Sequence, residues 1–257
     1  MPIVTVDPWM ELRTHTAARI ALGRTGVSMP THEVLRFGYA HAEARDAVYT
    51  PLDEDALREA LEGDGWTTVT VHSAAKDRST YLARPDLGRQ LDGPSEEALG
   101  KQASSKHEVL LVVGDGLSSA AIHRNAAPFL RALRKHAPAK FCKGPVVIAR
   151  QARVALGDAI GEKLGAKLVA VLIGERPGLS SPDSLGIYLT LDPRPDRTDA
   201  DRNCISNVRP EGLPHDAAAK RMVWLCKEAL RLGKTGVELK ERSDLLEIEA
   251  QAGKDDS

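Results

Sequence analysis

The chain has 257 residues and a mass of 27.7 kDa, room for one large α/β domain or a main domain with a smaller one. Apolar residues make up 42% and charged residues 28%, the balance of a chain with a sizeable core. Lys and Arg (35) almost cancel Asp and Glu (36), which excludes a nucleic-acid binder driven by bulk charge, and aromatic residues at 4% exclude a stacking platform of exposed rings.

The first elements read as short helices broken by turn signals. Leu12–Leu22 is one helical segment stopped by Gly23, a second helix opens at Pro30, and a third covers Asp53–Glu62 before Gly63. Nothing here carries a chemical signature, and residues 1–75 are expected to form a helical amino-terminal subdomain. From about residue 67 the pattern changes. Val109–Val113 is a short apolar run ending in Gly114-Asp115-Gly116, followed by a helical pattern with Ile122, Ala126, Phe129, Leu130 and Leu133 on one face. Pro128 inside that pattern predicts a kink or the start of a second helix. Pro145–Ile148 and Arg153–Leu156 come next, then a short helix over Asp158–Leu164 closed by Gly165.

Lys167–Gly174 is the clearest strand, apolar on both faces as in the middle of a parallel sheet. Gly186–Leu191 is another strand. Pro214–Leu232 is the best helix, with Ala218, Met222, Leu225, Ala229 and Leu232 in one stripe and Gly233 at its stop. This alternation predicts an α/β fold, with a Rossmann-like, largely parallel sheet over residues 76–245 behind the helical part. A flexible charged tail is expected over residues 246–257.

In open parallel sheets, ligands bind at the carboxyl ends of strands. The first such loop, Gly114–Ser119, falls short of a dinucleotide fingerprint: Ser119 stands at the third glycine, and Lys135–Lys140, where a ribose-binding acid belongs, holds no carboxylate. It also resembles a nucleophile elbow, with Asp183 and His215 following in hydrolase order, although a helix cap at Ser118 explains the same letters. The second loop, Gly174–Asp183, sets Glu175 directly after the most buried strand, where it points into any pocket. The third, Asp192–Asn207, alternates acids and arginines before small polar residues around Cys204, which by itself reads as a filler more often than as a ligand.

The three cysteines make neither a disulfide scaffold nor a zinc set, and the eight histidines are scattered, so no metal site is predicted. Leu168–Ile173, the longest apolar stretch, is too short for a bilayer, and the amino terminus lacks the blocks of a secretion signal. A cytosolic protein is expected.

Five blocks, Tyr81–Arg89, Gly114–Ser118, Gly157–Glu162, Val171–Leu179 and Asn203–Asn207, closely resemble the light (small) subunit of ethanolamine ammonia-lyase. The resemblance runs in order and with few gaps from about Leu12 to Gly236, and none of the blocks is a general-purpose motif. It implies a hetero-oligomer of heavy–light pairs in which a large subunit, a (β/α)₈ barrel, holds the substrate ethanolamine and the radical chemistry. Adenosylcobalamin lies at the interface, and the light chain supplies a Rossmann-like floor. Carried over position by position, the resemblance marks Val154, Glu175 and Cys204 as cobalamin-binding residues and assigns no catalytic residue here. Val154 would contact the corrin edge, Glu175 would accept hydrogen bonds from corrin amides, and Cys204 is small enough for close approach. The backbone amides of Asp115 and Gly116 are weaker candidates.

The sequence holds no DxHxxG, consistent with a cofactor that keeps its own dimethylbenzimidazole on cobalt, the base-on form. The resemblance also implies no nucleic-acid or membrane partner, and a location in the cytoplasm or a bacterial microcompartment. Family members from enteric bacteria carry a longer polar amino-terminal extension, from which this sequence departs. Two other readings stay open at this point: a self-sufficient hydrolase using Ser118, Asp183 and His215, and a corrinoid carrier without a partner.

Overall fold

The apolar runs of the sequence become the centre of a sheet. The computed structural model describes residues 3–102 and 106–243. Its helices are α1 (Thr31–Tyr49), α2 (Glu54–Gly63), α3 (Arg78–Ala83), α4 (Gly93–Gly100), α5 (Ser119–His136), α6 (Leu156–Lys163) and α7 (His215–Leu232). The strands are β1 (Thr68–His72), β2 (His107–Gly114), β3 (Val146–Arg150), β4 (Ala166–Gly174), β5 (Leu185–Leu191) and β6 (Arg202–Val208). They form one sheet in the order β1-β3-β2-β4-β5-β6.

β1, β3, β2 and β4 run parallel to one another, whereas β4–β5 and β5–β6 are antiparallel. The sheet is therefore mixed, though mostly parallel. The expectation for Lys167–Gly174 holds on one side only: β4 pairs in parallel with β2 and antiparallel with β5.

Side-chain alternation sorts each strand into two cores. Val109, Leu111 and Val113 face one side with Leu168, Ala170, Leu172, Ile187 and Leu189, where α2, α5 and α7 cover them. Leu110, Val112, Val169 and Val171 face the other, where Leu99 of α4 and Leu156 and Ile160 of α6 pack. α5 passes through Pro128 as one continuous helix, opened by the Ser118 cap and closed by Arg134 and Lys135, whose charges complement the helix dipole. Gly233 ends α7 at φ 70°, the left-handed geometry its position predicts.

Three expectations change. Leu12–Leu22 is not a helix; only the 3-10 turn Met10–Thr14 forms. The Thr14 hydroxyl takes up the Glu11 carbonyl and the Thr16 hydroxyl takes up the Ala18 N–H, offering the backbone a local alternative. Residues 68–72, ahead of the expected boundary at 75, form a strand that pairs with β3, while Leu57, Leu61 and Trp66 enter the main core. The third loop contains strand β6 within a stretch that reads as polar, because only Ile205, Val208 and the stem of Arg202 face inward. The tail expected over 246–257 lies outside the described residues.

Candidate functional site

Three loops meet at the carboxyl ends of β2, β3 and β4, and their approach is close enough to require missing side chains. Gly116 (φ +58°) follows β2; a Cβ there would lie 2.3 Å from the Gly174 carbonyl oxygen. A Cβ on Gly174 would lie 2.1 Å from the Ser118 carbonyl oxygen. The Asp115 carboxylate ties the loop after β3 to the loop after β2, accepting hydrogen bonds from the backbone N–H groups of Gln151 and Ala152, each at 2.9 Å. Burial pushes the Asp115 carboxyl up, and these two N–H groups and the nearby Arg78 oppose that.

Arg153 and Val154 follow directly on this clamp. The Arg153 guanidinium stacks on one buried tyrosine, Tyr81, at 4.2 Å from the ring centroid, and Arg78 stacks on the same ring at 4.7 Å. Tyr81 is 0% exposed; its hydroxyl donates to the Ala152 carbonyl at 3.1 Å. Gly88 makes room for this arrangement, since a Cβ there would lie 2.9 Å from Cγ of Arg153.

Val154 and Glu175 line one open cavity of about 420 Å³, together with Leu117, Ile173, Arg176 and Tyr188. Glu175 begins the loop after β4. Its carboxylate accepts from the Ser184 hydroxyl and, at 3.3 Å, from the Asn207 N–H, both through Oε2. A Cβ on Gly186 would sit 2.9 Å from Oε1, so the glycine leaves space for the carboxylate.

Cys204 does not line this cavity directly. It pairs across β5–β6 with Tyr188, which does, and is exposed on the same side of the sheet. Desolvation against its neighbours holds the Cys204 thiol above its ordinary value, the contact with Tyr188 opposes this, and the Glu175 carboxylate adds to it. Burial, with Cys204 next, likewise raises the Tyr188 phenol.

The elbow reading of the first loop does not survive. The Ser118 side chain is buried as the cap of α5, accepting from the Ala121 N–H and donating to the Pro182 carbonyl at 2.7 Å. His215 Nε2 instead meets Asn125 Oδ1 at 2.9 Å, and Asp183 pairs with Arg124 at 2.9 Å. No group of His, Cys, Asp and Glu suited to a metal ion occurs among the described residues.

The model of the ethanolamine ammonia-lyase light chain (EutC) family matches residues 6–240. The chain belongs to that family. An ethanolamine ammonia-lyase small subunit from Ralstonia nicotianae is 53% identical over 251 residues, 96% of this chain and 93% of the relative. Proteins of the same name from Pseudomonas fluorescens (50% over 258 residues, 99% and 94%) and Pseudomonas aeruginosa (50% over 250 residues, 96% and 92%) are similar at the same level.

Within a light chain of this family, Arg153, Tyr81, Tyr188 and the clamp role of Asp115 were not marked by sequence reasoning. Tyr81 and Asp115 do fall in the blocks that carry the resemblance, but a stack and a loop clamp have no spacing signature.

Proposed function

We propose that this chain binds adenosylcobalamin in its base-on form, at a junction with the large subunit of an ethanolamine ammonia-lyase. The observation that carries the reading is convergence: Val154 after β3 and Glu175 after β4 line one cavity, with Cys204 beside its Tyr188 wall. The donor set fits the group. Val154, Leu117 and Ile173 offer apolar surface to a ring edge, Glu175 offers carboxylate oxygens to amide N–H groups, and the glycines keep the loops low. In this reading β1-β3-β2-β4 serve as the Rossmann-like floor.

The chemistry supplied by the bound group is homolytic, radical generation for converting ethanolamine to acetaldehyde and ammonia. The chain's own residues hold and orient it. Oε2 of Glu175, fixed by Ser184 and Asn207, leaves Oε1 to accept from the ligand. Val154 excludes water from the ring edge, and the Asp115 clamp holds Val154 in place.

A partner is supported by surface that this chain leaves uncovered. α1 buries only Glu33, Ala40 and Ala47 while exposing Val34, Leu35, Phe37 and Tyr39, and Trp9 and Met10 are exposed on the preceding arm. Among the described residues no helix is long and apolar enough to cross a membrane. Location in the cytoplasm or a microcompartment belongs to the same reading.

The test is ethanolamine deamination and corrinoid binding by this chain co-expressed with the large subunit, with Glu175→Gln beside the natural sequence. Expected are activity only when both subunits and adenosylcobalamin are present, and roughly tenfold weaker cofactor binding in the variant, the worth of one charge-assisted hydrogen bond. An assembled complex that neither binds the cofactor nor deaminates ethanolamine overturns the reading.

A further inference from the structure

A second cavity of about 370 Å³ adjoins the first, and Arg153 and Val154 line both. Its other walls include Arg89, Arg197, Arg202 and Asp199, so four guanidinium groups face one carboxylate. Two of the four are already neutralised. Arg202 pairs with Asp158 at 2.7 Å, and Arg197 reaches Asp192 at 3.1 Å.

The other two have no counter-charge, although the Arg153 guanidinium stacks on Tyr81 and donates to the Tyr81 carbonyl at 3.3 Å. Arg153 has no carboxylate partner among the described residues, and its Nε is buried without an acceptor. The Arg89 side chain is exposed and has no hydrogen bond or ion pair among the described residues. The backbone holds the two together: the Arg153 N–H donates to the Gly88 carbonyl at 2.8 Å, which puts Arg89 one residue from that contact. A donor buried without an acceptor costs folding free energy, and a cavity with two unneutralised guanidinium groups gains by taking an anion.

We propose that Arg153 and Arg89 form an anion subsite for the phosphodiester of the cofactor's nucleotide arm, contiguous through Val154 with the corrin-binding cavity. The inference rests on the cobalamin reading and deepens it. The subsite would hold the nucleotide arm and so orient the ring, with Arg153 kept in place by the Tyr81 stack and by the Asp115 clamp on its neighbouring backbone.

The experiment is equilibrium binding to the assembled complex of small and large subunits, followed by corrinoid absorbance. Three probes are compared: adenosylcobalamin, adenosylcobinamide phosphate, and adenosylcobinamide, which lacks the phosphate. Arg153→Gln and, at the exposed position, Arg89→Gln are each expected to weaken the two phosphate-bearing probes about tenfold more than adenosylcobinamide, whose binding Arg89→Gln, outside the first cavity, leaves unchanged. Equal weakening of all three probes, or of none, overturns the subsite while the cobalamin reading stands. Failure of the unsubstituted complex to bind any of the three overturns both.

Discussion

Arg202 and Asp158 form an ion pair at 2.7 Å with side chains only 2% and 1% exposed, joining the start of β6 to the first turn of α6. The same guanidinium donates to the Thr190 hydroxyl at 2.9 Å and to the Arg197 carbonyl at 3.1 Å. The acid-and-arginine loop between β5 and β6 is thus anchored from beneath, and its outer members pair among themselves, Arg194 with Asp192 and Asp196, Arg197 with Asp192.

Removing one member of this pair leaves a buried charge without its counterion, which costs more than the pair itself contributes. Arg202→Met is therefore expected to lower stability by roughly 3 kcal/mol, and Arg202→Met with Asp158→Leu to recover most of that loss. Denaturant unfolding of the three proteins checks this; a double variant no more stable than the single one defeats it.

Gly116 is a position where the backbone forbids a side chain. Its φ of +58° is left-handed, and a Cβ would sit 2.3 Å from the Gly174 oxygen and 2.6 Å from Cγ1 of Ile173. Gly116→Ala is expected to cost about 2 kcal/mol through strain and to displace the loop carrying Glu175. Gly63→Ala, with nothing within 4 Å of the new Cβ, serves as the control and should stabilise slightly. Equal unfolding midpoints for the two variants would contradict the assignment.

His215 gives a pH dependence with a definite sign. Burial, with the Arg131 charge adding, holds its imidazole below the usual histidine range. The unfolded chain then takes up a proton that the folded chain resists, so the stability associated with neutral His215 is present above about pH 6.5 and is lost as pH falls towards the folded value. His215→Gln should reduce stability at pH 8 more than at pH 5, read as the shift in unfolding midpoint at each pH. A gap that fails to narrow on acidification counts against the prediction.

The strands richest in β-branched and aliphatic residues were legible because they are buried on both faces: Val109–Val113 and Lys167–Gly174 have the continuous apolar runs that fit the middle of a covered sheet. β6 was not, since its outward positions carry Cys204, Ser206 and Asn207, and half of a solvent-facing strand has the composition of a loop. Leu12–Leu22 misled in the opposite way; helical spacing there meets no core to bury against, and Thr14 and Thr16 hold the chain in turns.

The sequence by itself determined the α/β class and the family, because apolar periodicity and collinear blocks are properties of the chain order alone. Only the tertiary structure decided that β5 and β6 run antiparallel, that Ser118 is a buried cap, and that Val154 and Glu175 share one cavity with Cys204 beside it. Those facts depend on register, crossover and close backbone approach between segments far apart in the chain, which no local pattern of residues encodes.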